Sequence, residues 1–135
     1  VSDAERASLT LVAAAIFLRG DQVLLTRRPE GSHLAGTWEF PGGKIEEGES
    51  PEEALVREIR EELAIETEIV EPFRFVHHDY PEKRILLLTY LCRTRTDPEE
   101  SPAGWRWVPI RELDDSSMPG ADRLLVRTLQ ERCRS

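Results

Sequence analysis

The stretch from Gly42 to Ile65 constrains this chain more than any other, because a Gly-Gly-Lys turn leads into a segment carrying Glu58, Glu61 and Glu62. On a helix those glutamates stand at i, i+3 and i+4 and project from neighbouring turns on one side. Like charges at these offsets oppose helix formation by roughly 0.2–0.5 kcal/mol per pair, so a sequence that keeps them calls for a cation. An all-oxygen donor set suits Mg²⁺, with Mn²⁺ the alternative. Leu55, Val56, Ile59 and Leu63 form the adjoining apolar stripe, which places the acids at the border of the core, facing a cleft. Arg57, Arg60 and Glu53 fall on the remaining, solvent-facing side.

The start of that helix is written in its first residues. Ser50 is a good N-cap, Pro51 fits the first helical position, and Glu53 completes a capping box with Ser50. Before it, Gly42, Gly43 and Gly48 permit backbone conformations and close approaches that side chains would block, as a loop wrapped on a metal or phosphate requires.

In order, Gly43, five residues, Glu49, seven residues, Arg57-Glu58-Ile59, one residue, Glu61-Glu62, one residue and Ala64-Ile65 resemble the signature of the Nudix hydrolases, with a Nudix box over 43–65. An acidic, solvated helix would explain Arg57 to Leu63 alone, but not Gly43 and Glu49 in register with it. One position departs: Ala64 stands where the family has Gly, just past the helix, where Gly serves a left-handed C-cap.

The likeness extends beyond the box. Leu24-Leu25-Thr26-Arg27-Arg28-Pro29, the run from Leu34 to Glu46, and Pro119-Gly120-Ala121-Asp122 are similar to the MutT-type nucleoside triphosphate diphosphatases. The resemblance implies an α/β fold, an alpha/beta/alpha sandwich with a mixed β-sheet. It also implies hydrolysis of a nucleoside triphosphate, such as 8-oxo-dGTP or a cytidine nucleotide, to the monophosphate and pyrophosphate. Glu58, Glu61 and Glu62 then serve as catalytic metal ligands with the Gly42 carbonyl, while Arg57 and Glu49 brace the loop carrying Gly43 against the helix. Arg28 reaches the nucleotide, Phe40 lies by the base, and Asp122 takes the place of an Asn that reads the base edge. An ionised carboxylate only accepts hydrogen bonds, so its code for the base differs from that of an amide. Each of these three also has a plainer reading: Arg28 as a surface charge, Phe40 as core, and Asp122 as a helix N-terminal carboxylate.

In relatives the general base is often an acidic residue just before the strand equivalent to Trp105–Val108, and at the closest match this chain has Arg106. Glu99 and Glu100 need a register shift, which leaves Glu61 or Glu62 to activate water. RNA 5′-triphosphate hydrolysis and ADP-ribose hydrolysis are alternatives, the latter hinted at by Pro81. A nucleotide-binding Nudix-like module without activity is a third.

At 135 residues, with no repeat or compositional break, the chain reads as one domain. Its net charge of −8 argues against duplex nucleic acid or anionic membrane as a partner. Cys92 and Cys133 lack metal-ligand spacing and read as reduced thiols. With no signal peptide and no apolar run of spanning length, the expectation is a cytoplasmic monomer or homodimer acting on a small nucleotide. Strands are expected at Leu9 to Leu18 and Gln22 to Thr26 as a hairpin, Trp38 to Phe40, Glu66 to Val76, Arg84 to Cys92 and Trp105 to Val108. A last helix is expected over Ala121 to Arg132, with Leu124, Leu125, Thr128 and Leu129 on one face. His77 and His78, adjacent on a strand, face opposite ways and do not serve one site.

Overall fold

The computed structural model describes residues 8–32, 34–98 and 104–134. Its central strand, β1 (Leu9–Arg19), is apolar on both sides. Ala13, Ala15 and Phe17 point into one core cluster, and Ala14 and Ile16 into another on the opposite face. A strand buried on both faces reads as a continuous apolar run, and this is why β1 lies mid-sheet. It runs parallel to β6 (Lys83–Arg93) over nine paired positions, from Leu9↔Arg84 to Phe17↔Cys92. Antiparallel to β6 lies β5 (Glu68–Tyr80), at the edge.

The hairpin expected from Arg19-Gly20-Asp21 forms, yet β1 and β2 (Gln22–Arg27) pair only at Leu18↔Val23 and Arg19↔Gln22. Beyond that they splay. One edge of β2 is covered by β7 (Trp105–Pro109). The wedge on its other side is filled by β3 (Trp38–Glu39), paired with β2, and β4 (Gly42–Lys44), paired with β1. The short segment from Trp38 to Lys44 thus steps from one strand to the other.

A helix covers each face of this mixed sheet, as expected. α1 (Pro51–Leu63) buries Ala54, Leu55, Ile59 and Leu63 against Ala13, Phe17 and Leu24. Its capping box is complete, with the Ser50 hydroxyl accepting the Glu53 N–H at 3.1 Å and the Glu53 carboxylate accepting the Ser50 N–H at 3.0 Å. α2 (Gly120–Arg134) packs Ala121, Leu125, Val126 and Leu129 on the other face, against Ile16, Leu25 and Phe40. The stripe expected for α2 is rotated: Leu124 is exposed, and Val126 takes its place. Thr128 is half-buried, its hydroxyl accepting from Arg74 at 2.7 Å. None of the described helices is long and apolar enough to cross a membrane. Cys92 is buried, Cys133 is exposed, and both are free thiols.

One boundary moves well past expectation for an identifiable reason. β5 continues past Val76 to Tyr80 because its pairing with β6 runs to Tyr80↔Lys83. Helix α1 ends as the family pattern would have it despite the missing glycine: Ala64 itself adopts the left-handed conformation, at φ 56° and ψ 33°, and donates its N–H to the Arg60 carbonyl. A Cβ in that region is strained, so Ala64→Gly is expected to stabilise the fold by about 1 kcal/mol, read as a higher urea midpoint at unchanged slope.

Candidate functional site

The loop from β3 to α1 is pressed between two surfaces. The Pro41 carbonyl accepts the Ala15 N–H at 2.8 Å, and the Leu11 carbonyl accepts the Ile45 N–H at 3.0 Å. A Cβ on Gly42 would overlap the Ala13 carbonyl, and one on Gly43 would overlap the Glu58 carboxylate. Neither glycine has positive φ, so both are required for close approach, whereas Gly48, at φ 85°, serves the turn.

Arg57 holds the loop to the helix. Its Nε donates to Glu49 Oε2 at 2.6 Å and its Nη2 to Glu49 Oε1 at 2.9 Å, while Nη2 also reaches the Lys44 carbonyl at 3.2 Å. Nη1 contacts Glu58 Oε1 at 3.0 Å and Glu61 Oε2 at 3.2 Å. The solvent-facing placement expected of Arg57 is therefore corrected: its guanidinium is tucked under the loop by four acceptor groups, whereas Arg60 and Glu53 do face water. The Arg57 guanidinium holds the Glu49 carboxyl below its usual range, helped by the Glu46 N–H.

Glu62 leaves this network. Desolvation, reinforced by the charges of Glu39 and then Glu58, pushes its carboxyl up to about 7. The residue as a whole is nonetheless solvent-exposed. Thr26 Oγ1 on β2 is buried with no partner at hydrogen-bonding distance. Among the described residues, no three acidic, histidine or cysteine side chains converge tightly enough to enclose a metal ion. Arg57 draws Glu58 and Glu61 to one side, and Glu62 sits toward Glu39 and Thr26. The donor set nevertheless fits a hard divalent cation: it is all oxygen and anionic, and the like charges of Glu39 and Glu58 act on Glu62 where a cation would offset them.

Beside this cluster opens a cavity of about 240 Å³ whose polar lining includes Arg28, Glu39, Lys44, Tyr80, Lys83 and Asp122. Arg28 donates to both Glu39 oxygens, at 3.1 and 3.2 Å. Phe40 lines the cavity and is also core, at 3% exposure, so its two readings merge. Asp122 is at once in the first turn of α2 and in the cavity wall, with Oδ2 accepting the Phe40 N–H at 3.1 Å. Burial above all, and then the Glu39 charge, raise the Asp122 carboxyl to about 8. These surroundings favour the neutral acid over the ionised form expected from the sequence, against the opposing pull of the Phe40 N–H and the Arg28 charge.

Three cavity residues escape a reading of the sequence. Glu39 carries a signal, an acid between Trp38 and Phe40 in an apolar strand, but Tyr80 and Lys83 flank what reads as a plain turn. The turn forms at Pro81-Glu82, and its flanks still reach the cavity. The histidines divide as expected. His77 pairs with Asp79 at 3.2 Å, and His78 stacks edge-on against Tyr80 with ring centroids 4.5 Å apart. Arg106 stacks over Trp38 at 4.2 Å, and Glu99 and Glu100 lie outside the described residues.

A loop braced onto an acidic helix beside a sheet cavity defines a class, the Nudix-type hydrolases, and the comparisons agree. The family model described as NUDIX domain matches residues 12–128. The chain belongs to this family, and within it to the MutT-type enzymes, which hydrolyse pyrophosphate bonds. It is 32% identical over 125 residues to an 8-oxo-dGTP diphosphatase of Escherichia coli (strain K12), covering 90% of this chain and 96% of that one. It is 55% identical over 60 residues to a CTP pyrophosphohydrolase of the same organism, covering 44% of each. Its fold matches the crystal structure of a MutT protein from Methanosarcina mazei Go1 with a TM-score of 0.82 at 23% identity, over 96% of this chain and 98% of the other. Members of the family generally require a divalent metal, and a small nucleotide fits the relatives as substrate.

Proposed function

We propose that this enzyme hydrolyses a nucleoside triphosphate, canonical or oxidised, to the nucleoside monophosphate and pyrophosphate with Mg²⁺ as its metal. The observation that carries this reading is the seating of Gly43 directly against the Glu58 carboxylate, which leaves the loop backbone and the acidic helix face in contact beside the cavity. Glu58, Glu61 and Glu62, with the Gly42 carbonyl, would hold the metal. When bound, it supplies charge neutralisation at the phosphates and an acidified water.

The remaining work falls to the chain itself. Arg57 and Glu49 fix the loop to the helix, so that Gly42 and Glu58 keep their spacing as substrate enters. Arg28, oriented by Glu39, binds the nucleotide, and Phe40 and Asp122 form the wall against which the base lies. Proton removal from the attacking water falls to Glu61 or Glu62, since Arg106, always protonated, cannot act as a base. The cavity is smaller than the ~300–1,000 Å³ usual for drug-sized ligands, consistent with a base enclosed there and a phosphate chain lying outside over the loop.

The test is a panel of nucleoside triphosphates, oxidised variants, ADP-ribose and a triphosphorylated RNA, ranked by kcat/KM with Mg²⁺. Pyrophosphate release from a nucleoside triphosphate as the leading activity supports the reading. A leading activity on ADP-ribose or RNA, or no turnover at all, overturns it.

A further inference from the structure

At the C-terminal end of α1 lies another cavity, of about 370 Å³, which shares no lining residue with the one beside Arg28. Its walls are the turn from Ala64 to Glu68, which joins α1 to β5, and the segment from Arg93 to Thr96 at the end of β6. Elsewhere in this chain acids take up arginines one by one: Asp97 holds Arg19, Glu49 holds Arg57, Glu66 holds Arg60, Asp79 holds Arg84 and Asp21 holds Arg111. Arg93 and Arg95 differ. Both are exposed, both line this cavity, and among the described residues neither side chain makes a hydrogen bond, an ion pair or a ring contact. Glu68 is the cross-strand partner of Arg93, yet no ion pair joins them. Glu66 is spent on Arg60, which reaches both of its oxygens at 2.9 Å. The mouth therefore carries two uncommitted cations against one uncommitted carboxylate, in a chain whose net charge is −8. In the same wall Thr67 has its Oγ1 buried with no hydrogen-bond partner, an arrangement that costs stability until an acceptor arrives.

We propose that this cavity is a second binding site, for a small phosphate-class anion such as inorganic phosphate or pyrophosphate, held by Arg93 and Arg95. A guanidinium presents paired N–H donors that match phosphate oxygens, and two of them without local acceptors complement a multiply charged oxyanion. The Thr67 hydroxyl, after one rotamer step, donates to the same anion. The exposure of both arginines and the single surplus positive charge keep the affinity low, at about 1 mM. Ala64 in the wall lies two residues past Glu62, so the occupant touches the end of the helix that carries the acidic cluster. Binding here does not depend on the reaction proposed above, and either can fail alone.

The test is a ¹H–¹⁵N NMR titration of the full chain with inorganic phosphate, pyrophosphate and citrate at constant ionic strength, with and without Mg²⁺, in the wild type and in Arg93→Gln/Arg95→Gln. Saturable shifts of the amides from Ile65 to Glu68 and from Thr94 to Thr96 are expected in the wild type, with Mg²⁺ or without it. Binding at least tenfold weaker is expected in the double variant, and severalfold weaker in Thr67→Val. The wild-type map needs no variant to fold. Shifts that grow without saturating, shifts confined to the Gly42–Glu49 loop and the Arg28 cavity, equal affinity in the double variant, or citrate binding tighter than both phosphates overturn the proposal. Turnover on nucleoside triphosphates bears only on the function proposed above, whatever the titration shows.

Discussion

Glu62→Gln is expected to lower metal-dependent kcat/KM by at least about 10²–10³-fold while leaving the fold intact, and Glu61→Gln to act in the same direction. The size follows from what the amide removes: a full negative charge in a partly desolvated cluster whose proposed task is to hold the cation that neutralises the phosphates. Stability should move the opposite way. Because burial and the charges of Glu39 and Glu58 raise the Glu62 carboxyl from 4.5 to about 7, the folded state binds its proton more tightly than the unfolded state does. Its ionisation therefore costs stability progressively as pH rises from 4.5 through 7, and that cost persists above 7. Glutamine cannot ionise, so in metal-free protein Tm for Glu62→Gln should match wild type at pH 5 and equal or exceed it at pH 8. A loss of activity accompanied by a fall in Tm at pH 8 would point to a structural role instead.

Gly42→Ala and Gly43→Ala, one residue apart, are expected to fail in different ways. At Gly42 the new methyl would meet the backbone of Ala13 and Ala14 on the central strand, which cannot give without breaking the pairing of β4 with β1. Overpacking against backbone should destabilise by about 3 kcal/mol or more, a drop of several degrees in Tm and a lower urea midpoint. At Gly43 the obstacle is the far end of the Glu58 side chain, which can swing away. Tm should therefore hold to within about a degree or two while turnover falls by at least about tenfold, because the displaced carboxylate is one of the proposed ligands. Equal thermal losses in the two variants would contradict this division.

What the sequence exposes and what it conceals follow the range of the interactions. Ser50, Pro51 and Glu53 make the start of α1 a local matter, and the capping box forms as read. The brace of Arg57 on Glu49 spans eight residues and is legible through the box. By periodicity alone Arg57 sits on the wet side of the helix, and only the loop folded over it shows that side to be covered. Asp122 and Phe40 are 82 residues apart, and their bond exists because the splay of β1 and β2 admits the Trp38–Lys44 segment next to the start of α2. No local pattern reports that splay. The upward shift of the Asp122 carboxyl, due first to its burial and then to the Glu39 charge, is likewise a tertiary fact. Leu124 and Val126 exchange roles for a similar reason: both fit an amphipathic α2, and the rotation of that helix over Leu25 and Phe40 decides between them.

The most direct test of the central claim is a Mn²⁺ titration followed by EPR on wild type and on a Glu58→Gln/Glu61→Gln/Glu62→Gln variant shown by circular dichroism to be folded. Saturable binding in the wild type, lost in the triple variant and tightened in the wild type by a non-hydrolysable nucleoside triphosphate analogue, is the expected result. Binding of equal strength in both proteins would contradict the assignment of this helix and its glycine loop as the metal site.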